Sequence, residues 1–172
     1  MCLRISSIFA YILAEYAKGY KMDAIDRNII RTLQQNGRLS NQELADKIGL
    51  SPSPCLRRVR NLEKSGVLTG YAALVDQDKY GLPLTVFVHI RLERHSDDCI
   101  KEFEAGIERL DQVMECYLMT GQSDYLLHVL ARDLKDYEIF VRDRISTIPG
   151  IAGIDSSFVF GQVKKKTTFP AL

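Results

Sequence analysis

The chain has 172 residues, room for one large domain or two small ones, and its 46% hydrophobic and 26% charged residues are those of an ordinary soluble globular protein. Its four cysteines, Cys2, Cys55, Cys99 and Cys116, form no C-x-x-C pair and no Cys/His set with zinc spacing, which sets a structural zinc site aside. The net charge of +1 does not by itself suggest nucleic acid. It divides unevenly, however: residues 1–68 carry eleven Lys or Arg against six Asp or Glu (+5), and residues 69–172 carry twelve against sixteen (−4). A basic front and an acidic back fit a DNA-binding head on a body that is not held to DNA.

Residues 1–21 include an apolar run, Ile5 to Ala14, too short to span a membrane and, with Arg4 before it, only faintly like a signal peptide. Two readings stand for them: an upstream extension from a mis-assigned start, or an extra N-terminal helix. Asp23 to Gln35 predicts the first regular helix, with Ile25, Ile29, Ile30 and Leu33 at helical spacing and Asn36-Gly37 as its stop. Asp23 or Asp26 suits its positive N-terminal end. Ser40 and Glu43 make a capping box for a second helix that Gly49 ends. Ser51 is expected to cap a third, with Pro52 and Pro54 in its first turn, where amides lack partners anyway. On that helix Cys55, Val59 and Leu62 share one side. Ser53, Arg57, Arg60 and Lys64 share the other, flanked by Pro54 and Asn61, with Arg58 nearer the buried edge. Small polar residues at the N-terminus and cations further along are what a recognition helix needs to reach base edges and phosphates. The expected core of this three-helix unit is Ile29, Leu33, Leu44, Ile48, Val59 and Leu62.

Gly66 to Tyr71 predicts the start of a linker strand. The segments that follow read as strand Leu84 to Leu92, helix Asp97 to Leu110, strand Gln112 to Thr120 and strand Tyr125 to Ala131. A second helix runs from Leu134 to Ile148 and a last strand from Gly153 to Val163. That β-α-β-β-α-β order is ferredoxin-like, with both helices on one face of a four-stranded antiparallel sheet. The other face is expected to carry Phe87, His89, Leu126, His128, Leu130, Phe158 and Phe160, too apolar to remain wet, and so to pair with a second subunit.

The run Met119-Thr120-Gly121-Gln122-Ser123-Asp124-Tyr125 reads in two ways. It is a plain hairpin turn, or its amides bind a carboxylate while Asp124 accepts from an ammonium, the two groups of a free amino acid. His89, His95 and His128 read as interface or loop residues rather than metal ligands, and Lys164-Lys165-Lys166 as a solvated strand end. The cysteines read as reduced, buried thiols of a cytosolic protein, with redox sensing at Cys55 as the alternative. An enzyme using Cys116, His128 or Asp124 lacks a nucleophile motif, a phosphate loop or a metal set, so no catalytic residue and no cofactor are assigned.

Three runs carry a resemblance to a known family: Ile25-Asp26-Arg27-Asn28-Ile29-Ile30, Asn36-Gly37-Arg38 and Leu50-Ser51-Pro52-Ser53-Pro54-Cys55. The last opens an SP-x-PC-x-x-R-x-x-x-L pattern that ends at Leu62. From about Met22 to about Pro170 the chain resembles the Lrp/AsnC family of leucine-responsive, feast/famine transcriptional regulators. The resemblance implies an α+β protein: a helix-turn-helix (winged-helix-like) domain over 22–68, a β linker over 69–82 and a ferredoxin-like effector-binding and oligomerising domain over 83–172. It implies a cytoplasmic regulator that binds double-stranded DNA and an amino acid, forms homodimers that assemble into tetramers or octamers, and has no membrane part. The DNA-binding set is then Ser51, Ser53, Pro54, Arg57, Arg58, Arg60, Asn61 and Lys64. The effector set is Met119, Thr120, Gly121, Asp124 and Tyr125 from the G-x-x-D-Y loop, with Leu134, Ser157, Phe158 and Val159. An architectural DNA-wrapping protein with little ligand dependence is the alternative.

Overall fold

Helix α1 (Ala24–Gln35) begins at a reciprocal cap. The Asp23 carboxylate accepts the Asp26 N–H at 2.8 Å, and the Asp26 carboxylate accepts the Asp23 N–H at 3.3 Å. Helix α2 (Asn41–Ile48) starts on the expected Ser40/Glu43 box and stops at Gly49, whose φ of 73° is left-handed and suits a residue without a side chain. Helix α3 (Pro52–Lys64) follows, with Ser51 at the cap position. Its hydroxyl makes no capping bond, so the prolines, with φ preset for helix, carry the start of α3 instead. The computed structural model describes residues 21–170; the readings of residues 1–21 fall, but for Lys21, outside the described residues.

These helices enclose Ile29, Leu33, Leu44, Ala45, Cys55 and Leu62, with Ile48 and Val59 half-buried at the margin. One charged group is buried beside them. Asp26 is 3% exposed and accepts from Arg58 Nη1 at 2.7 Å, while Asp23 accepts from the same nitrogen at 2.8 Å. The linker strand expected from Gly66 is not formed. Gly66 takes φ 74° and the Leu68 N–H returns to the Leu62 carbonyl at 3.1 Å, closing the end of α3. The Tyr71 hydroxyl donates to Glu63, and residues 69–76 run on without a paired strand, because a strand needs a neighbour for its N–H and C=O groups. A short helix, α4 (Gln77–Tyr80), which the sequence did not announce, ends this stretch.

The second unit has the expected order: β1 (Leu84–Leu92), α5 (Asp97–Ile107), β2 (Val113–Leu118), β3 (Tyr125–Ala131), α6 (Leu134–Asp143), a 3-10 turn (Ile145–Thr147) and β4 (Ile151–Phe158). The sheet is antiparallel in the order β2-β3-β1-β4. Alternation along β1 sends Val86, Val88, Ile90 and Leu92 to the helix side, where they meet Phe103, Leu127, Val129, Tyr137, Phe140 and Ile145. Phe87 and His89 stand on the open side, beside Leu126, His128 and Leu130. Phe158 does not join them. It pairs with Val86 and packs its ring on Tyr137 of α6 with centroids 5.4 Å apart, so it belongs to the helix side. Phe160 lies beyond the end of β4 and is fully exposed. β4 starts two residues earlier than expected, and a register shift at Arg91/Leu92 lies opposite its first residues, where counting alternate positions fails.

The chain divides into two compact units, one up to Ala73 and one over Leu74–Lys164. The tail from Lys165 groups with the first unit. The Phe169 N–H donates to Gln34 Oε1 of α1 at 3.1 Å, and Phe169 and Pro170 line a hollow with Arg27 and Arg31. No helix among the described residues is long and apolar enough to cross a membrane.

Asp26→Ala removes the buried partner of Arg58 and leaves its guanidinium half-buried without that charge. The N-terminal three-helix unit is expected to lose about 2 kcal/mol, below the value for a fully buried pair because Arg58 keeps some water. Urea unfolding followed by circular dichroism tests this; an unchanged midpoint would show that the pair contributes nothing.

Candidate DNA interface and effector site

The geometry of α3 follows from which residues the core takes. Cys55 and Leu62 are fully buried, so the far side of the helix faces outward. Ser51, Ser53, Arg57, Arg60, Asn61 and Lys64 are all exposed, and Pro54 is half-buried. Among the described residues Arg57, Arg60 and Lys64 have no ion-pair partner, while Arg58, grouped with them in the sequence, is held by Asp23 and Asp26. Arg58 Nη1 therefore ties α3 to α1 through both carboxylates. The cause is its position on the helix: it projects from the buried edge toward the capping box of α1. Sequence reasoning also missed Asn41, whose Nδ2 donates to the Pro52 carbonyl at 2.9 Å and ties the start of α2 to the first turn of α3.

The Gly121–Asp124 turn joins β2 to β3 and is fastened to the end of β1. The Asp124 N–H donates to the Ile90 carbonyl at 2.8 Å, and the Asp124 carbonyl accepts the Met119 N–H at 2.8 Å. Asp124 Oδ2 accepts the Leu92 N–H at 2.8 Å and Oδ1 meets His95 Nε2 at 2.7 Å. Burial works against the charge on Asp124, but the Leu92 amide and the His95 ring outweigh it and hold the carboxyl below its usual range. Gly121 has φ 132°, a conformation that side chains disfavour. Met119 and Thr120 are exposed. Tyr125 is not part of the open loop: it is 3% exposed, its ring lies 4.6 Å from that of Phe103, and its hydroxyl donates to Glu104 at 2.9 Å. Desolvation and Glu104 push its phenol well above the ordinary value.

The remaining effector candidates lie at the other end of the sheet. Leu134 and Phe158 line an open depression of about 740 Å³ between α6 and β4, with Lys135, Tyr137, Val141 and Arg142. The Tyr137 and Ser156 hydroxyls bond to each other at its wall. Ser157 pairs with Phe87 and so faces the open side of the sheet, and the Val159 N–H donates to the Thr85 carbonyl just beyond the strand. β3 spans the gap between the two groups: its seven residues, at about 3.3 Å each, put the Asp124 turn ~20 Å from the Leu134 end. One free amino acid cannot touch both groups within one chain.

The histidines are dispersed. His128 stacks on Phe87 with centroids 5.2 Å apart and bonds Glu115 at 3.2 Å, and His89 lies diagonally from it across β1 and β3. Among the described residues no three His, Cys, Asp or Glu side chains are grouped to hold a metal. Cys55 is buried and its thiol is pushed up by desolvation, which disfavours the thiolate that oxidation requires. Cys116 is exposed as a residue, but desolvation of its sulfur and the Glu104 carboxylate push its thiol up to about 11.

Both parts of the chain match known proteins. Residues 22–69 match the winged helix-turn-helix DNA-binding family, and residues 85–169 match the Lrp/AsnC ligand-binding domain. The chain is 41% identical over 150 residues to the Bkd operon transcriptional regulator of Pseudomonas aeruginosa, covering 87% of this chain and 98% of that one. It is 39% identical over 147 residues to the leucine-responsive regulatory protein of Escherichia coli K12, covering 86% and 90%. A Neisseria meningitidis transcriptional regulator solved as a complex with L-Met superposes with a TM-score of 0.83 at 37% identity, over 87% of this chain and 97% of that one. AsnC of E. coli superposes with a TM-score of 0.79 at 28% identity, over 86% and 97%.

Proposed function

Because the chain belongs to the Lrp/AsnC family of transcriptional regulators, we propose that it reads DNA with α3 and is switched by an amino acid bound between subunits. The observation that carries this reading is the outward face of α3. Arg57, Arg60 and Lys64 are unpaired among the described residues and are held outward by a core and an ion pair that take the opposite side. Arg57 and Arg60 are assigned to bases or phosphates, Lys64 to a phosphate, and Ser51, Ser53 and Asn61 to close polar contacts. Arg58 leaves that set and becomes the strut that aims it. The relatives named above are regulators, and a catalytic role is not assigned.

The effector reading rests on two half-sites ~20 Å apart along β3. Loop amides around Gly121 suit a carboxylate, the Asp124 carboxylate suits an ammonium, and the depression with Leu134, Val141 and Phe158 suits an apolar side chain. The two halves serve one ligand only if they come from different subunits, so the ligand favours one assembly over another and thereby changes the placement of the α3 helices on DNA. The open face of the sheet supplies a dimer contact: Phe87, His128 and Leu126 lie at its centre, with His89 and the largely buried Leu130 beside them. Two such faces together give a self-complementary interface. The working compartment in this reading is the cytoplasm.

Arg57→Ala is expected to weaken operator binding by roughly 1–3 kcal/mol and to relax preference at one base position; wild-type affinity and specificity in a gel-shift series would remove Arg57 from the reading. Leu126→Asp places a charge at the centre of the open face and should yield monomers in sedimentation velocity, whereas a persisting dimer would place the contact elsewhere. Titrating each of the twenty amino acids against thermal unfolding should reveal a responder that adds about 2.7 kcal/mol at 100 times its dissociation constant. A responder that still stabilises Asp124→Ala and Phe158→Ala to the full extent would overturn the site.

A further inference from the structure

We propose that His95 is a positioning residue for the effector loop, orienting the Asp124 carboxylate toward the ammonium of the bound amino acid. The inference rests on the effector reading above and adds to it a residue outside the loop and outside the depression. His95 lies between the end of β1 and the first turn of α5, far along the chain from the turn it holds. Its Nε2 approaches Asp124 Oδ1 at 2.7 Å, while the Leu92 N–H takes Oδ2 at 2.8 Å. With Asp124 ionised, Nε2 must carry the proton and donate it.

Two donors on two oxygens fix the plane of the carboxylate. An ionised carboxylate has about four lone-pair positions, so one on each oxygen stays open. The Asp124 side chain keeps 25% exposure and that of His95 keeps 66%, which leaves the open positions within reach of a ligand. The main-chain bonds of Asp124 to Ile90 and Met119 hold the backbone of the turn, but they do not set the rotation of the carboxylate. Among the described residues, the groups bonded to that carboxylate are the Leu92 amide and the His95 ring, and they set its rotation. Arg91, from β1, is the other charged group acting on Asp124, and it is directed at Asp155 of β4 at 3.8 Å. It supplies field and not direction.

A positioning role differs from a bracing role in what restores it. His95→Ala removes the donor; His95→Gln keeps an N–H donor at similar reach and removes the imidazole. L-methionine and L-leucine are titrated calorimetrically into the full-length protein and both variants, alongside hydrogen exchange, without ligand, of the Leu92 amide that bonds the same carboxylate. The expected result is roughly tenfold weaker binding in His95→Ala, from loss of one charge-assisted hydrogen bond, with most of it restored in His95→Gln. Melting temperatures should be unchanged, and exchange at Leu92 should be faster in His95→Ala alone. Wild-type affinity in His95→Ala, or a Gln variant as weak as Ala, would overturn the proposal. If neither amino acid binds the wild-type protein, the ligand reading fails for these probes, and the exchange rates still decide whether His95 orients the carboxylate: equal rates in all three proteins overturn that too.

Discussion

A carboxylate at the edge of an apolar core has to find a cation or lose its charge, and in the N-terminal unit Asp26 finds Arg58. The pair does more than satisfy Asp26. Arg58 sits on the same helix as Arg57 and Arg60, one step from each face, so fixing its guanidinium against α1 fixes the rotation of α3 about its axis. Cys55 and Leu62 must then point inward, and the basic residues must point out. The capping box that starts α1 also supplies the Asp23 carboxylate to the same guanidinium. Helix initiation, helix packing and presentation of the reading face thus share one small group of atoms.

The sensor unit is governed by the central position of β1, bonded to β3 on one side and β4 on the other. Its alternation determines both faces of the sheet at once. One face is sealed by α5 and α6 and holds the core, and the other presents Phe87, Leu126 and Leu130 with two histidines. The ends of the same strands carry the two groups of proposed effector residues. Strand length sets their separation, and in the proposed site the need for a second chain follows from that geometry and not from the chemistry of either group.

Much of this was legible in the residues. Caps with a reciprocal partner, such as Ser40 with Glu43, and strict alternation, such as Leu84 to Leu92, are local signals, and the structure contains both. What failed was nonlocal. Gly66 to Tyr71 has strand-like residues, but nothing in the sequence says whether a neighbouring strand is present, and the stretch instead folds back to close α3. Phe158 pairs with Val86 and so takes the helix side, because its face is set by which β1 residue lies opposite it, and that register is not readable from β4 alone. The ion pair of Arg58 with Asp26 and the contact of Asp124 with His95 are not legible, because the partners lie 32 and 29 residues away. In the candidate site, residue types were readable and engagements were not. Tyr125, which the resemblance places in the loop signature, is buried and spends its hydroxyl on Glu104 of α5.

The ~20 Å between the Asp124 turn and the Leu134 depression bears on how such a protein would behave in a cell. A ligand pocket contained in one chain reports the ligand alone, however few copies exist. A pocket divided between chains reports the ligand multiplied by the abundance of the regulator itself. At low copy number the halves seldom meet and saturating nutrient goes unnoticed. At high copy number the response sharpens. Expression level then becomes part of the sensor, and any control that the protein exerts over its own synthesis would set its sensitivity as well as its amount.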